Sequence, residues 1–280
     1  MPHEILTQDV EYLRDGNRAM ALRLCRPASG GVYPAVIDLH GGAWTAGDFT
    51  ECSARDEAIA RAGFVVAAPN FRQAVDGYPS SLQDINYAIR WLKAHAGEYR
   101  ARVDRVGIMG SSSGGHLAML SAMRPGDSRY AAIAPLPGME ADATVHGVAM
   151  LWPVINPLSR YRNAIRQRDS ANPPPWTNNM KERHDTYWKT EAAMAEGNPM
   201  LALERGEPVL TPPALWVQGR PDPVHDYRDP DGTFAGNEPE RFVANYRKAG
   251  GSIELAEIDQ EQRATACVEP VIDFLRHCLS

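Results

Sequence analysis

Along this 280-residue chain, short apolar runs bounded by turn residues alternate with longer stretches whose apolar positions recur at helical spacing. That alternation narrows the fold more than any other feature. A short continuous apolar run reads as a buried strand, and a helix between successive strands carries the chain back to the same end of the sheet. The result is a mostly parallel sheet with helices on both faces. Strands are expected at 35–39, 64–68, 106–109, 148–151, 214–218 and 253–258, and helices at 54–62, 82–92, 116–123, 240–248 and 268–279. The clearest helix carries Leu82, Ile85, Ile89 and Leu92, with Ser81 and Asp84 forming a start that resembles a capping box. The opening differs: residues 11–13 and 20–26 flank Asp15-Gly16-Asn17, a turn signal for an antiparallel hairpin.

Between residues 153 and 213 the pattern breaks down into prolines, asparagines and tryptophans, including Pro173-Pro174-Pro175. A long irregular segment in a compact chain is expected to be a lid or binding loop, so a lid or cap is placed at about 153–212 of a single domain spanning 1–280.

The run at 106–109 leads into Gly110-Ser111-Ser112-Ser113-Gly114, which precedes the helical stretch 116–123. A G-x-S-x-G sequence at a strand-to-helix junction turns sharply enough to expose its serine, and only small flanking residues fit beside the strained backbone. Ser112 is therefore the expected nucleophile. A second motif, His40-Gly41-Gly42-Ala43-Trp44, follows the strand at 35–39. Acyl transfer builds negative charge on a carbonyl oxygen, and adjacent glycines let backbone N–H groups approach it. His40 is read as a brace for this loop rather than as a base.

The net charge of −6 and the lack of a basic block argue against nucleic acid as a partner. No apolar run approaches the ~20 residues needed to span a bilayer, and the first residues do not read as a signal peptide, so a cytoplasmic protein without a membrane partner is expected. The four cysteines show no metal-binding spacing, and neither a metal nor an organic cofactor is implied. A small-molecule substrate is the expected partner, and a homodimer is compatible with this composition.

With these motifs in view, the chain resembles the α/β-hydrolase superfamily. Within it, the resemblance is to the His-Gly-Gly esterase and lipase group, which includes hormone-sensitive-lipase-like carboxylesterases, feruloyl or acetyl esterases and kynurenine formamidases. The resemblance covers about residues 30–280 and implies an α/β-hydrolase fold with an eight-stranded, mostly parallel sheet. It implies hydrolysis of a small carboxylic ester, or an amide, through an acyl-Ser112 intermediate, with an oxyanion hole from the N–H groups of Gly41, Gly42, Ala43 and Ser113. It also implies that Asp222, in Gly219-Arg220-Pro221-Asp222-Pro223-Val224, is the triad acid.

The chain departs from its group at the base. The loop after the strand at 253–258 should carry a histidine, yet it reads Asp259-Gln260-Glu261-Gln262-Arg263, and the family position falls near Gln262 or Arg263. His277 lies too far along the last helix. Three readings stay open: a histidine from elsewhere, best His225, just past Asp222; an impaired hydrolase; or a different use of the scaffold, as a lyase, isomerase or small-molecule binder. Glu257 or Glu261 serves as a base only if burial raises its pKa. Trp44, Trp152 and Trp188 are expected to wall the substrate pocket. Arg160, Arg162, Arg166 and Arg168 either attract a carboxylate or form a solvated face.

Overall fold

A computed structural model describes residues 2–279. Its strands are β1 (Ile5–Asp15), β2 (Arg18–Pro27), β3 (Tyr33–Leu39), β4 (Val65–Pro69), β5 (Ala101–Ser111), β6 (Gly147–Leu151), β7 (Ala214–Arg220) and β8 (Ile253–Asp259). They form one eight-stranded sheet in the order β1-β2-β4-β3-β5-β6-β7-β8, with β3 to β8 parallel and β1 and β2 antiparallel. This is the α/β-hydrolase fold. The opening hairpin turns at Gly16 and Asn17, where Gly16 takes a positive φ of 60°. β4 and β6 are buried along their whole length, as unbroken apolar runs in a two-sided parallel sheet must be.

The helices are α1 (Ser53–Arg61), α2 (Ser80–Ala94), α3 (Ala96–Tyr99), α4 (Ser113–Met123), α5 (Pro157–Arg168), α6 (Met180–Trp188), α7 (Glu191–Glu196), α8 (Pro199–Glu204), α9 (Glu238–Lys248), α10 (Arg263–Ala266) and α11 (Val268–Leu279). α1 and α11 cover one face of the sheet, where Ile59, Val271, Leu275 and Leu279 pack on Val36, Val66 and Met109. α2, α4 and α9 cover the other. Every residue of α4 is buried, so the helix that follows Ser112 has no solvent face. Among the described residues, no helix is long and apolar enough to cross a membrane.

Two expectations change. Ser81 and Asp84 do not form a capping box: the Ser81 hydroxyl donates to the Arg72 carbonyl, and Asp84 accepts the Arg72 N–H and guanidinium, both at 2.7 Å. The segment at 153–212 is not irregular but carries α5 to α8. Asn156 and Asn198 cap α5 and α8 by accepting the N–H groups of Ser159 and Leu201 at 3.1 Å, each with proline in the first turn, and Thr190 caps α7 in the same way.

Candidate active site

At the carboxyl end of β5 the backbone turns through Ser112 at φ 53° and ψ −117°, a strained conformation for a residue with a side chain. Its neighbours explain why the turn holds. Ser112 N–H donates to the Leu151 carbonyl at 2.9 Å, and its own carbonyl accepts from Val154 at 3.1 Å and His116 at 3.2 Å. A Cβ on Gly114 would stand 2.2 Å from the Leu39 carbonyl oxygen, and one on Gly110 would stand 2.5 Å from the Gly114 carbonyl carbon. Both overlaps are with backbone, so the glycines are steric requirements of the elbow.

The chain after β3 comes alongside. Gly42, Ala43 and Trp44 run through consecutive positive φ values of 104°, 49° and 60°. Gly41 lies against the elbow, where a Cβ would meet the Ser111 carbonyl at 3.1 Å and Ser112 Cβ at 3.4 Å. The Ser113 hydroxyl accepts the Trp44 N–H at 3.3 Å, tying the glycine loop to the start of α4. Ser113 N–H belongs to the first turn of α4, where no intrahelical acceptor exists, so it is free to face a developing oxyanion with the N–H groups of the glycine loop. His40 braces the turn: its Nδ1 lies 2.9 Å from the Gly41 carbonyl, and its ring stacks on Phe71 at 4.3 Å.

The imidazole at Ser112 belongs to His225. Its Nε2 lies 3.1 Å from Ser112 Oγ, and its Nδ1 lies 2.8 Å from Asp222 Oδ2. Three residues suffice because the segment after β7 makes one helical turn, in which the Asp226 N–H donates to the Asp222 carbonyl at 2.8 Å. Positions three apart on such a turn share a face. Asp222 Oδ1 accepts the N–H groups of Val224 at 3.0 Å and His225 at 3.2 Å. Burial alone would raise the Asp222 pKa, but the bonds from His225 and these amides outweigh it and hold the carboxyl below its ordinary value. Burial lowers the His225 pKa, and the Arg160 charge acts in the same direction against the pull of Asp222. The ring is therefore neutral at neutral pH, with Nδ1–H donating to Asp222 and the Nε2 lone pair facing the serine. Such an arrangement can take a proton from Ser112 as the oxygen attacks.

The loop after β8 takes no part in this contact. The Arg263 guanidinium lies 5.0 Å from the centre of the Trp152 ring, and Glu257 pairs with Arg220. His277 shares a surface groove with Glu254, near the amino-terminal end of β8, whereas Ser112 lies at the carboxyl ends of the strands.

The three tryptophans stand differently from their expected pocket role. Trp44 and Trp188 are each 1% exposed and pack edge to face at 5.3 Å within the core. Trp152 sits on the other face of the sheet, among the residues beneath α11. Large aromatics bury the most apolar area, and here the core claims them. Trp44 has a second duty: its indole N–H donates to His116 Nδ1 at 3.2 Å, and His116 Nε2 donates to the Gly197 carbonyl at 2.8 Å. Burial lowers the His116 pKa to about 4, which keeps it neutral, as both bonds require.

The BD-FAE family model matches residues 23–228, which hold Ser112, Asp222 and His225. Among curated proteins, the probable carboxylic ester hydrolase LipM of Mycobacterium tuberculosis is 33% identical over 138 residues, 48% of this chain and 31% of that protein. The carboxylic ester hydrolase LipN of the same organism is 33% identical over 109 residues, 38% of this chain and 29% of that protein. The chain thus spans about a third of the length of these relatives. Among solved structures, esterase B of Lactobacillus rhamnosis aligns with a TM-score of 0.75 at 18% identity, covering 99% of this chain and 85% of that one. A Pyrobaculum calidifontis esterase aligns at 0.72 and 17% identity, covering 98% and 86%. At these identities the structural likeness speaks for the fold.

Proposed function

The chain belongs to the BD-FAE family, and from that premise we propose that it is a serine hydrolase of carboxylic esters that works through an acyl-Ser112 intermediate. The observation that carries this reading is the continuous contact from Ser112 Oγ through His225 to Asp222, at 3.1 and 2.8 Å. His225 Nε2 takes the hydroxyl proton as Ser112 Oγ bonds to the ester carbonyl carbon. The oxyanion then meets the N–H groups of Gly41, Gly42, Ala43 and Ser113. Collapse of the tetrahedral intermediate breaks the bond to the leaving alkoxide, which receives the proton from His225, and water repeats the sequence to free the acid. Asp222 holds the tautomer and stabilises the imidazolium. The segment at 153–212 acts as a cap, with α8 packed on α4 and Gly197 bonded to His116. The imidazole at Ser112 supports hydrolysis over a lyase, isomerase or silent binder, readings that start from the lack of a histidine after β8.

The test is labelling with a fluorophosphonate together with turnover of p-nitrophenyl butyrate. The expected result is one label per chain on Ser112, with turnover abolished in Ser112→Ala. A wild-type chain that takes no label and gives no turnover between pH 6 and 9 refutes the proposal.

A further inference from the structure

Arg162, Arg166 and Arg168, on α5, pair with Glu191, Asp231 and Asp169 near the surface, where water screens the charges. Arg55, on α1, pairs in the interior. Its guanidinium donates to both oxygens of Asp38, from Nε to Oδ2 at 2.8 Å and from Nη2 to Oδ1 at 2.7 Å, and the Asp38 side chain has no exposed surface. The next residue, Asp56, is 0% exposed as well, yet neither of its oxygens finds a donor among the described residues.

The charges around Asp56 do not balance. Asp38 lies within hydrogen-bonding reach of it, and two ionised carboxylates at that range meet lone pair to lone pair, with no hydrogen between them. Arg55 attracts both groups but spends its fork on Asp38, with Nη2 also 3.1 Å from Cys52 Sγ. Arg23, on β2, is the other cation nearby, and Asp9 engages it at 2.8 and 2.9 Å. The thiols around the pair bring no charge at neutral pH: burial holds Cys25 on β2, Cys52 just before α1 and Cys267 just before α11 above the ordinary thiol value. A buried carboxylate without a donor is costly, and a second one beside it adds repulsion. One proton removes both penalties, because a neutral Asp56 donates to Asp38. We propose that the folded chain holds one proton between Asp56 and Asp38, so that Asp56 is a carboxylic acid and the interior anchorage of β3 weakens as pH rises. Asp38 stands two residues before His40, where the chain leaves β3 for the glycine loop, so the device acts on the footing of that loop.

Burial and the neighbouring carboxylate both hold the Asp56 pKa well above its ordinary value. The unfolded chain releases this proton near about pH 4, whereas the folded chain keeps it, so the stabilisation is fully present below about pH 4 and is lost as pH rises toward the folded value. Urea unfolding of the wild type and of Asp56→Asn measures the difference. Asparagine keeps the shape and a donor for Asp38 but cannot titrate, and groups common to both chains cancel in the ratio of the two unfolding constants. Between about pH 5 and 8 the wild-type constant divided by that of the variant is expected to rise about tenfold per pH unit, until Asp56 ionises in the fold. Asp56→Ser also lacks the carboxyl and reads the same slope, which covers the case that asparagine is not accommodated. In an Asp38→Asn background Arg55 is free to take Asp56, and the slope is expected to disappear. A ratio that stays flat or falls with pH in the wild-type background overturns the proposal, as does a slope that persists unchanged without Asp38. Because unfolding is the readout, the outcome does not depend on whether the chain hydrolyses esters.

Discussion

Replacing Asp222 by asparagine tests the geometry at Ser112 without changing its shape. The side chain keeps its volume, but one oxygen becomes an NH2 group, and the surroundings decide which one. Oδ1 accepts two backbone N–H groups, from Val224 at 3.0 Å and His225 at 3.2 Å, whereas Oδ2 meets only His225 Nδ1 at 2.8 Å. Turning the NH2 toward the two amides leaves buried donors facing donors, at about 1–3 kcal/mol each. The amide oxygen therefore stays with the backbone, and the NH2 faces Nδ1. That nitrogen must then accept, which moves the ring proton to Nε2, where it points at Ser112 Oγ and can no longer receive the hydroxyl proton. A wrong tautomer of this kind costs about 10⁴-fold in kcat, or about 5 kcal/mol in the barrier. The assay is kcat on p-nitrophenyl butyrate, beside a urea unfolding curve to show that the fold is intact. A loss of less than tenfold in a folded variant refutes both the role of Asp222 and the tautomer argument.

Other outcomes follow from the same contacts. Gly114→Ala drives a methyl into the Leu39 and His40 carbonyls and is expected to lower Tm by about 6 °C or more, whereas Gly97→Ala, with nothing within 4 Å, is the control; equal Tm values contradict the overlap. Because His225 must be neutral to act and its pKa is lowered from 6.5, kcat/KM rises with pH through a single limb below 6.5 and is flat by pH 7, so an inflection above 6.5 excludes His225 in this environment. Trp44→Phe leaves His116 Nδ1 buried without a donor, and urea unfolding is expected to report a loss of about 1–3 kcal/mol; an unchanged midpoint shows the bond to be dispensable.

How far the sequence could be read differs by element, for physical reasons. The parallel strands and the elbow are legible because buried runs and glycines beside Ser112 obey local steric rules. β5 begins at Ala101, five residues before the expected start, because its exposed first half carries Arg102, Asp104 and Arg105 and lacks an apolar signal. The helices α5, α7 and α8 are signalled by Asn156-Pro157, Thr190-Glu191 and Asn198-Pro199, N-cap sequences that the surrounding prolines obscure. For His225, a spacing of three is too short only if the loop is extended, and the turn that closes it depends on Asp222 binding the backbone two and three residues on. Composition cannot separate a tryptophan that seals a core from one that meets a ligand, so Trp44 and Trp188 read alike in either role.

Placing Asp222 and His225 on one turn changes what the rest of the chain must do. In the usual arrangement, two distant loops have to be registered against each other, and any slip of the last strand misplaces the imidazole. Here the pair spans a chain segment so short that almost no loop-closure entropy is spent in joining it. The stretch from Asp259 to Cys267 thereby supplies no residue to the contact at Ser112. Its Arg263 still reaches the imidazole through charge, lowering the His225 pKa, so exchanges in this stretch act on His225 through that charge and through packing.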